Sequence, residues 1–347
     1  MTDRAAGPRS ADAVYGDAGR SGGTSTRAGS PDVVLVDQDK EGEDTTMPEY
    51  KYIQFEQFDE GRIVRIMLDR PDTRNAQNRG LLVELDDAFR RAEEDDEVRV
   101  VILGGTGPLF SSGHDMGSAQ AIEERTSHPT SSINGGSREG AEARMLQEWH
   151  YYFQNTLRWR NLRKITIAQV QGTVFAAGLM LMWACDLIVG ADNVLFADVV
   201  GTRLGMCGVE YFGHPWEFGP RKAKELMLTG DAIDIQEAHR LGMVSKIFPT
   251  GELDEQTLAY ARRIAERPTV TALLIKESVN QSVDNMGFYN ALQACFTLHQ
   301  LNHSHWAEVH ENKYPVAVPE DGVADWRKPT PVRLAVADAV EGPVPAR

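Results

Sequence analysis

Two stretches of this chain combine glycine with the end of an apolar run, as a turn with outward-facing backbone amides requires. The first is Leu103-Gly104-Gly105-Thr106-Gly107-Pro108-Leu109-Phe110-Ser111-Ser112-Gly113-His114-Asp115-Met116. Such a turn can aim free N–H groups at an anion, but no Lys-Ser/Thr pair follows to make a nucleotide phosphate loop. Asp115 is expected to brace the turn by accepting local amides, and Ser111 and Ser112 to shape it, since no G-x-S-x-G elbow is present. The second stretch is Gln171-Gly172-Thr173-Val174-Phe175-Ala176-Ala177-Gly178-Leu179-Met180, where small residues open an apolar helix. The first-turn amides of a helix lack internal partners and favour a negative oxygen. Taken singly, each stretch also has a plain packing explanation: a tight loop in the first case, close helix packing through Ala176, Ala177 and Gly178 in the second. Ionisable side chains gather in Cys207-Gly208-Val209-Glu210-Tyr211-Phe212-Gly213-His214-Pro215-Trp216-Glu217. Glu210 is the candidate acid/base there. His214 precedes a proline, and Glu217 is at helical spacing from Arg221 for a surface pair. His299 and His303 lie one helical turn apart, but Gln300 stands where a zinc-protease helix carries Glu. No metal site is expected.

These candidates need a scaffold, and the hydrophobic pattern supplies one. Ile63–Leu68 and Val98–Leu103 read as strands with the helical pattern Arg79–Glu94 between them, a β-α-β unit. Ile165–Val170 is a further strand leading into the second glycine turn and a helix to Ala184. Leu187–Val189 and Val194–Phe196 resume as short strands. Arg221–Leu241 and Leu253 to about His305 read as mostly helix. Ser118–Ala143 is rich in Gly, Ser and Glu and reads as a long mobile insertion, a position where function often resides. Residues 1–46 carry no useful period and are expected to be disordered. Met47 is then a candidate translation start. The chain from Tyr314 is a Pro-rich, polar tail expected to wrap a surface or stay loose. The resulting division is 1–46, a core over 47–250, a helical region over 251–313, and a tail over 314–347.

The net charge of −15 argues against general nucleic-acid binding, because phosphate backbones attract basic surfaces. The three cysteines, Cys185, Cys207 and Cys295, have neither CxxC nor metal-ligand spacing, which fits a reducing, cytoplasmic setting. No apolar run is long enough for a spanning helix, and no apolar signal core opens the chain, so neither membrane insertion nor secretion is expected.

Set in order, the motifs resemble the crotonase, or enoyl-CoA hydratase/isomerase, superfamily from about Tyr52 to about His305. Leu68-Asp69-Arg70-Pro71-Asp72-Thr73-Arg74-Asn75-Ala76 is similar to the family's opening strand-to-loop signature. The two glycine turns match its two oxyanion turns. Ala223 to Asp231 and Glu237 to Val244 resemble its later helix-turn-helix. Each is weak alone; four in the family's order and spacing are specific.

The resemblance implies an α/β fold, the crotonase (ClpP-like) spiral of ββα units, with a helical C-terminal region that builds a homotrimer or a hexamer. It implies an acyl-CoA substrate, with coenzyme A carried as part of that substrate and no separate cofactor. It places a two-amide oxyanion hole on the backbone N–H groups of His114 and Ala177, where a thioester enolate would be held. Coenzyme A would lie across Arg70–Ala76 and Ser111–Gly113, with Arg74 as a phosphate partner and Ala76, Ser111, Ser112 and Gly113 in the wall. Phe175, Gly178, Met180 and Trp216 would line the acyl side, making an apolar surround for Glu210. One departure matters. Where family hydratases carry two glutamates, this chain has Met180 and Val200 (or Gly201), none of which can move a proton. Acid-base catalysis contributes a factor of about 100 to 10,000. The expectation is therefore enolate chemistry of the hydratase or isomerase type with Glu210 as the base, with a non-catalytic acyl-CoA-binding protein as the alternative.

Overall fold

The computed structural model describes residues 49–126, 140–313 and 332–335. Strand β1 (Ile53–Phe58) pairs antiparallel with β2 (Ile63–Leu68). Asn78 then caps helix α1 (Arg79–Glu94), its side chain accepting from the Leu81 amide. The apolar stripe Leu81, Leu82, Leu85, Ala88, Phe89 and Ala92 repeats every three or four residues and is wholly buried. Strand β3 is Val100–Gly105, two residues further along than the apolar run suggested. All six of its residues are buried, as expected of a parallel strand covered on both faces.

Helix α2 (Ala119–Thr126) and helix α3 (Gly140–Gln147) occupy both ends of the segment read as a mobile insertion; residues 127–139 lie outside the described residues. A π-helical segment, Glu148–Gln154, joins α3 to α4 (Asn155–Arg160). No periodicity announces that wider turn, and such insertions often mark functional positions. Strand β4 (Ile165–Val170), strand β5 (Thr173–Phe175) and helix α5 (Ala177–Trp183) follow, then β6 (Leu187–Ala191) and β7 (Leu195–Ala197). Short helices α6 (Val200–Leu204) and α7 (His214–Phe218) lead to α8 (Pro220–Thr229). The stretch to Leu241 is not continuous helix: strand β8 (Ile233–Asp234) separates α8 from α9 (Ile235–Leu241). Strand β9 (Lys246–Phe248) and helices α10 (Leu253–Ala265), α11 (Thr269–Asn285) and α12 (Phe288–Val309) complete the order.

The main sheet runs β1-β2-β3-β4-β6-β9, parallel from β2 onward, beside a three-stranded sheet β5-β7-β8. One face of the main sheet (Ile63, Val100, Ile102, Ile167, Val189) packs on Ala261 and Ala265 of α10. The other face joins the larger core with α1 and α5. The architecture is the α/β class with a parallel sheet and a helical C-terminal region. Residues Val332–Ala335 of the tail are docked: Ala232 donates to the Arg333 carbonyl at 2.7 Å, and Ala335 donates back to the Ala232 carbonyl at 2.8 Å.

Candidate functional site

Topology explains why two turns some sixty residues apart in sequence meet. β3 and β4 are parallel neighbours in register, Val100 opposite Ile165, so their carboxyl-terminal loops leave the sheet side by side. In open α/β sheets that edge is where ligands gather. Hydrogen bonds then stitch the loops: Phe175 donates to the Ser111 carbonyl at 3.0 Å, Phe110 to the Gln171 carbonyl at 2.9 Å, and Gln77 to the Gly113 carbonyl at 2.8 Å.

Glycine is needed where the stitching is tightest. Gly113 has φ +98, and a Cβ there would stand 3.1 Å from the Ala177 nitrogen and 3.0 Å from the Ala176 Cβ. A Cβ on Gly178 would stand 2.7 Å from the Ser111 carbonyl oxygen. The Gln77–His114 bridge is made by Gln77 donating to Gly113 and Asp115 donating to Gln77, so the His114 amide is turned away from Gln77. Ala177 is the first residue of α5, and its amide has no partner within the helix. Among the described residues, neither amide donates to any acceptor. The turn that presents Ala177 is strained, since Ala176 holds φ +49 and ψ −124, a region that favours glycine.

Several residues flagged in the sequence act as bracing. Asp115 accepts from the Ser118 amide at 2.9 Å and the Ser118 hydroxyl at 2.6 Å, and pairs with Arg70 at 2.8 Å. Burial opposes ionisation of Asp115, but the Ser118 and Arg70 donors outweigh it and hold the carboxyl below its usual range. Ser111 donates to the Asn75 carbonyl and accepts from Gly113. Asn75, fully buried, donates to the Thr106 and Leu109 carbonyls and accepts from the Arg70 amide, so it ties the Arg70–Ala76 loop to the first turn. Ala76 accepts from the Arg70 guanidinium, and Ser112 donates to the Arg74 carbonyl. The Arg74 side chain is exposed and lies near Arg203, whose pKa is lowered first by burial and then by Arg74.

Glu210 is buried, and its Oε2 lies 3.2 Å from His114 Nε2. The His114 ring stacks on Tyr152 at 3.7 Å between centroids. On its other side, Glu210 Oε1 is 3.8 Å from His299 Nε2. The surround of Glu210 is therefore ionic as well as apolar. Trp216 is not part of it: that ring is 38% exposed and packs edge-on against Phe288 at 5.2 Å. Met180 is buried in α5, and Phe175 packs toward Val199 and Ala232. Glu217 forms no ion pair with Arg221 among the described residues; burial pushes its pKa up to about 7. His214 is fully buried, its Nε2 2.9 Å from Asp198 Oδ2. Asp198 also accepts from the Val200 and Val209 amides, so this pair pins the segment that presents Glu210.

Behind Glu210 lies a group that sequence reasoning saw only in part. Glu148, on the π-helical segment, has Oε1 2.7 Å from His303 Nε2 and Oε2 3.3 Å from His299 Nε2. Burial opposes the Glu148 charge, but the two imidazoles hold its pKa down at about 2. Burial likewise disfavours the His299 cation, yet Cys207, Glu148 and Glu210 beside it raise its pKa well above the ordinary histidine value. The i, i+4 histidines were visible in the sequence. Their carboxylate, 151 residues before His299, was not.

A cavity of about 980 Å³ lies between α6 and α8 with Val332 and Arg333 at its edge.

A parallel-sheet α/β scaffold carrying two stitched glycine turns at the ends of adjacent strands defines the class. The enoyl-CoA hydratase/isomerase family model matches residues 59–326. The chain belongs to the enoyl-CoA hydratase/isomerase family. It is 61% identical over 306 residues to a Mycobacterium tuberculosis protein provisionally named enoyl-CoA hydratase EchA13, covering 87% of this chain and 96% of that one. A Mycobacterium smegmatis crystal structure provisionally titled an enoyl-CoA hydratase superposes with TM-score 0.68 at 42% identity, covering 77% of this chain and 99% of that one. A second, from Mycobacterium thermoresistibile, gives 0.66 at 41% identity, covering 74% and 99%.

Proposed function

We propose that this chain is an acyl-CoA enzyme that stabilises a thioester enolate between the backbone amides of His114 and Ala177, with Glu210 moving the proton. The observation that carries the reading is the approach of Gly113 to the Ala177 nitrogen, which leaves two amides without acceptors where the turns meet, close to a buried carboxylate on the His114 ring. An oxyanion donor is worth roughly 3 to 4 kcal/mol in the transition state. The thioester supplies the activated carbonyl, so no redox cofactor is called for and coenzyme A arrives with the substrate. Its phosphates would meet Arg74, and its pantetheine arm the wall of Ala76, Ser111, Ser112 and Gly113. The acyl group would lie toward Phe175, Gly178 and Met180.

Hydration and double-bond isomerisation of enoyl-CoA substrates, measured with Glu210→Gln as control, test this. A fall of about 100- to 10,000-fold in the variant supports Glu210 as the base; unchanged turnover in the variant refutes it. One observation favours a second reading, a non-catalytic acyl-CoA-binding protein: α5 is apolar throughout, buried Met180 included, and the family resemblance implies a hydratase glutamate at that position. Tight acyl-CoA binding with background turnover at every chain length would establish that reading.

We further assign the core to residues 47–250 and the helical region to 251–313. The apolar side chains that α11 and α12 leave exposed, Leu274, Ile275, Val279, Leu298 and Leu301 among them, support a homotrimer or hexamer. Light scattering on the purified protein decides between these and a monomer. A cytoplasmic location is consistent with three free cysteines and with the absence, among the described residues, of a helix long and apolar enough to cross a membrane.

A further inference from the structure

Buried imidazoles ordinarily have partners for both ring nitrogens, and those that lack them call for an ion or water. His299 and His303 are 4% and 2% exposed, and none of their four ring nitrogens makes a hydrogen bond of acceptable geometry with a described residue. This is not for want of a neighbour. His303 Nε2 is 2.7 Å and His299 Nε2 is 3.3 Å from the Glu148 carboxylate. The nitrogens are close to the oxygens but misdirected, as ligands are when their lone pairs point at a shared centre rather than at one another. One donor atom from each of the three residues lies within 4.8 Å of the other two. Two histidines at i, i+4 on α12 and a carboxylate from a facing helix are a donor set that suits zinc-class ions, and three protein ligands leave a coordination position open.

We propose that Glu148, His299 and His303 bind one divalent transition-metal ion of the zinc class, through a Glu148 carboxylate oxygen and the two Nε2 atoms. The site is independent of the acyl-CoA reading. A buried Glu148 carboxylate requires positive charge beside it. A metal ion supplies that charge while leaving both imidazoles neutral. The ion also ties the π-helical segment to α12 across 151 residues of chain. It would stand next to Glu210, whose Oε1 is 3.8 Å from His299 Nε2.

The experiment uses the full-length chain without a histidine tag, stripped with chelator, equilibrated with Zn²⁺ or Co²⁺ and dialysed. About one ion per chain by elemental analysis, visible d–d absorption with Co²⁺, and a rise of several degrees in melting temperature with Zn²⁺ are expected. Glu148→Gln and His303→Gln, checked by circular dichroism for an unchanged fold, should each lower the retained metal at least about tenfold. His305→Ala, at an exposed neighbouring position, should retain it. A wild-type protein that holds no ion after dialysis, or folded Glu148→Gln and His303→Gln variants that bind as much as wild type, would overturn the proposal. The three side chains would then be an ionic cluster only.

Discussion

Gly113→Ala puts the meeting of the two turns under direct stress. The added Cβ would stand 3.0 Å from the Ala176 Cβ and 3.1 Å from both the Ala177 nitrogen and the Phe175 oxygen. Carbon contacts are comfortable at about 3.5 to 4.0 Å, so the β5–α5 turn must retreat by about half an ångström. A φ of +98 adds about 1 to 3 kcal/mol of backbone strain once a Cβ is present. The three nearest atoms belong to Phe175, Ala176 and Ala177, so a retreat of this turn displaces the Ala177 amide. Complete loss of one donor costs about 10²- to 10³-fold in kcat, and a partial displacement should cost about 10- to 100-fold. The assay pairs urea unfolding with turnover and acyl-CoA affinity, with Gly117→Ala as control, because a Cβ at Gly117 meets nothing within 4 Å. Wild-type stability and wild-type affinity in Gly113→Ala would refute both the packing and the placement of the hole.

Three further substitutions probe the frame around that contact. Ala176→Gly removes the strain of a φ of +49 and should raise stability by about 1 kcal/mol, read from the urea midpoint at constant slope. Asp198→Asn breaks a buried pair and should cost about 3 kcal/mol. Burial opposes the Asp198 charge, but His214 and the Val200 and Val209 amides lower its folded pKa. The stability it contributes is therefore present above the ordinary Asp value near pH 4 and lost on acidification through the folded value, and the variant should lose that acid dependence. Glu217 has the opposite sign: a folded pKa raised to about 7 by burial means that stability falls as pH rises from about 4 to 7. Glu217→Gln should then gain about 1 to 2 kcal/mol at pH 8 and little at pH 4, discounted because the side chain is only half-buried. Unfolding curves at the two pH values check it.

Local pattern carried the scaffold well because each piece was written in neighbouring residues. The stripe Leu81 to Ala92 and the runs at Ile63 and Ile165 became α1, β2 and β4. The two turns were legible for the same reason. What failed was whatever depended on residues brought together from afar. Ser118–Ala143 looked like loop because Gly, Ser and Glu dominate it, yet Ala119–Thr126 and the start of α3 are helical at its ends. The π-helical segment has no sequence period of its own, so the placement of Glu148 opposite α12 could not be read. Trp216 was grouped with Met180 by proximity to Glu210 in sequence, but α7 turns it outward onto Phe288. Asn75 passed as one letter of a motif, whereas its side chain ties the Arg70–Ala76 loop to the first turn.

Neither α5 nor α6, the helices that hold Met180, Val200 and Gly201, carries an acidic side chain. Beside the turns, however, the structure holds an alternating line of His114, Glu210, His299, Glu148 and His303, with neighbours between 2.7 and 3.8 Å apart. None of the five lies on α5 or α6. A carboxylate flanked by two imidazoles is held in place from both sides. On the proposed reading the proton-handling residues sit on the 205–213 segment, the π-helical stretch and α12. His299→Gln separates this from a merely structural role. A positioning function predicts a shifted pH profile of turnover with acyl-CoA affinity preserved, whereas a structural one predicts losses of stability and affinity together with an unchanged profile.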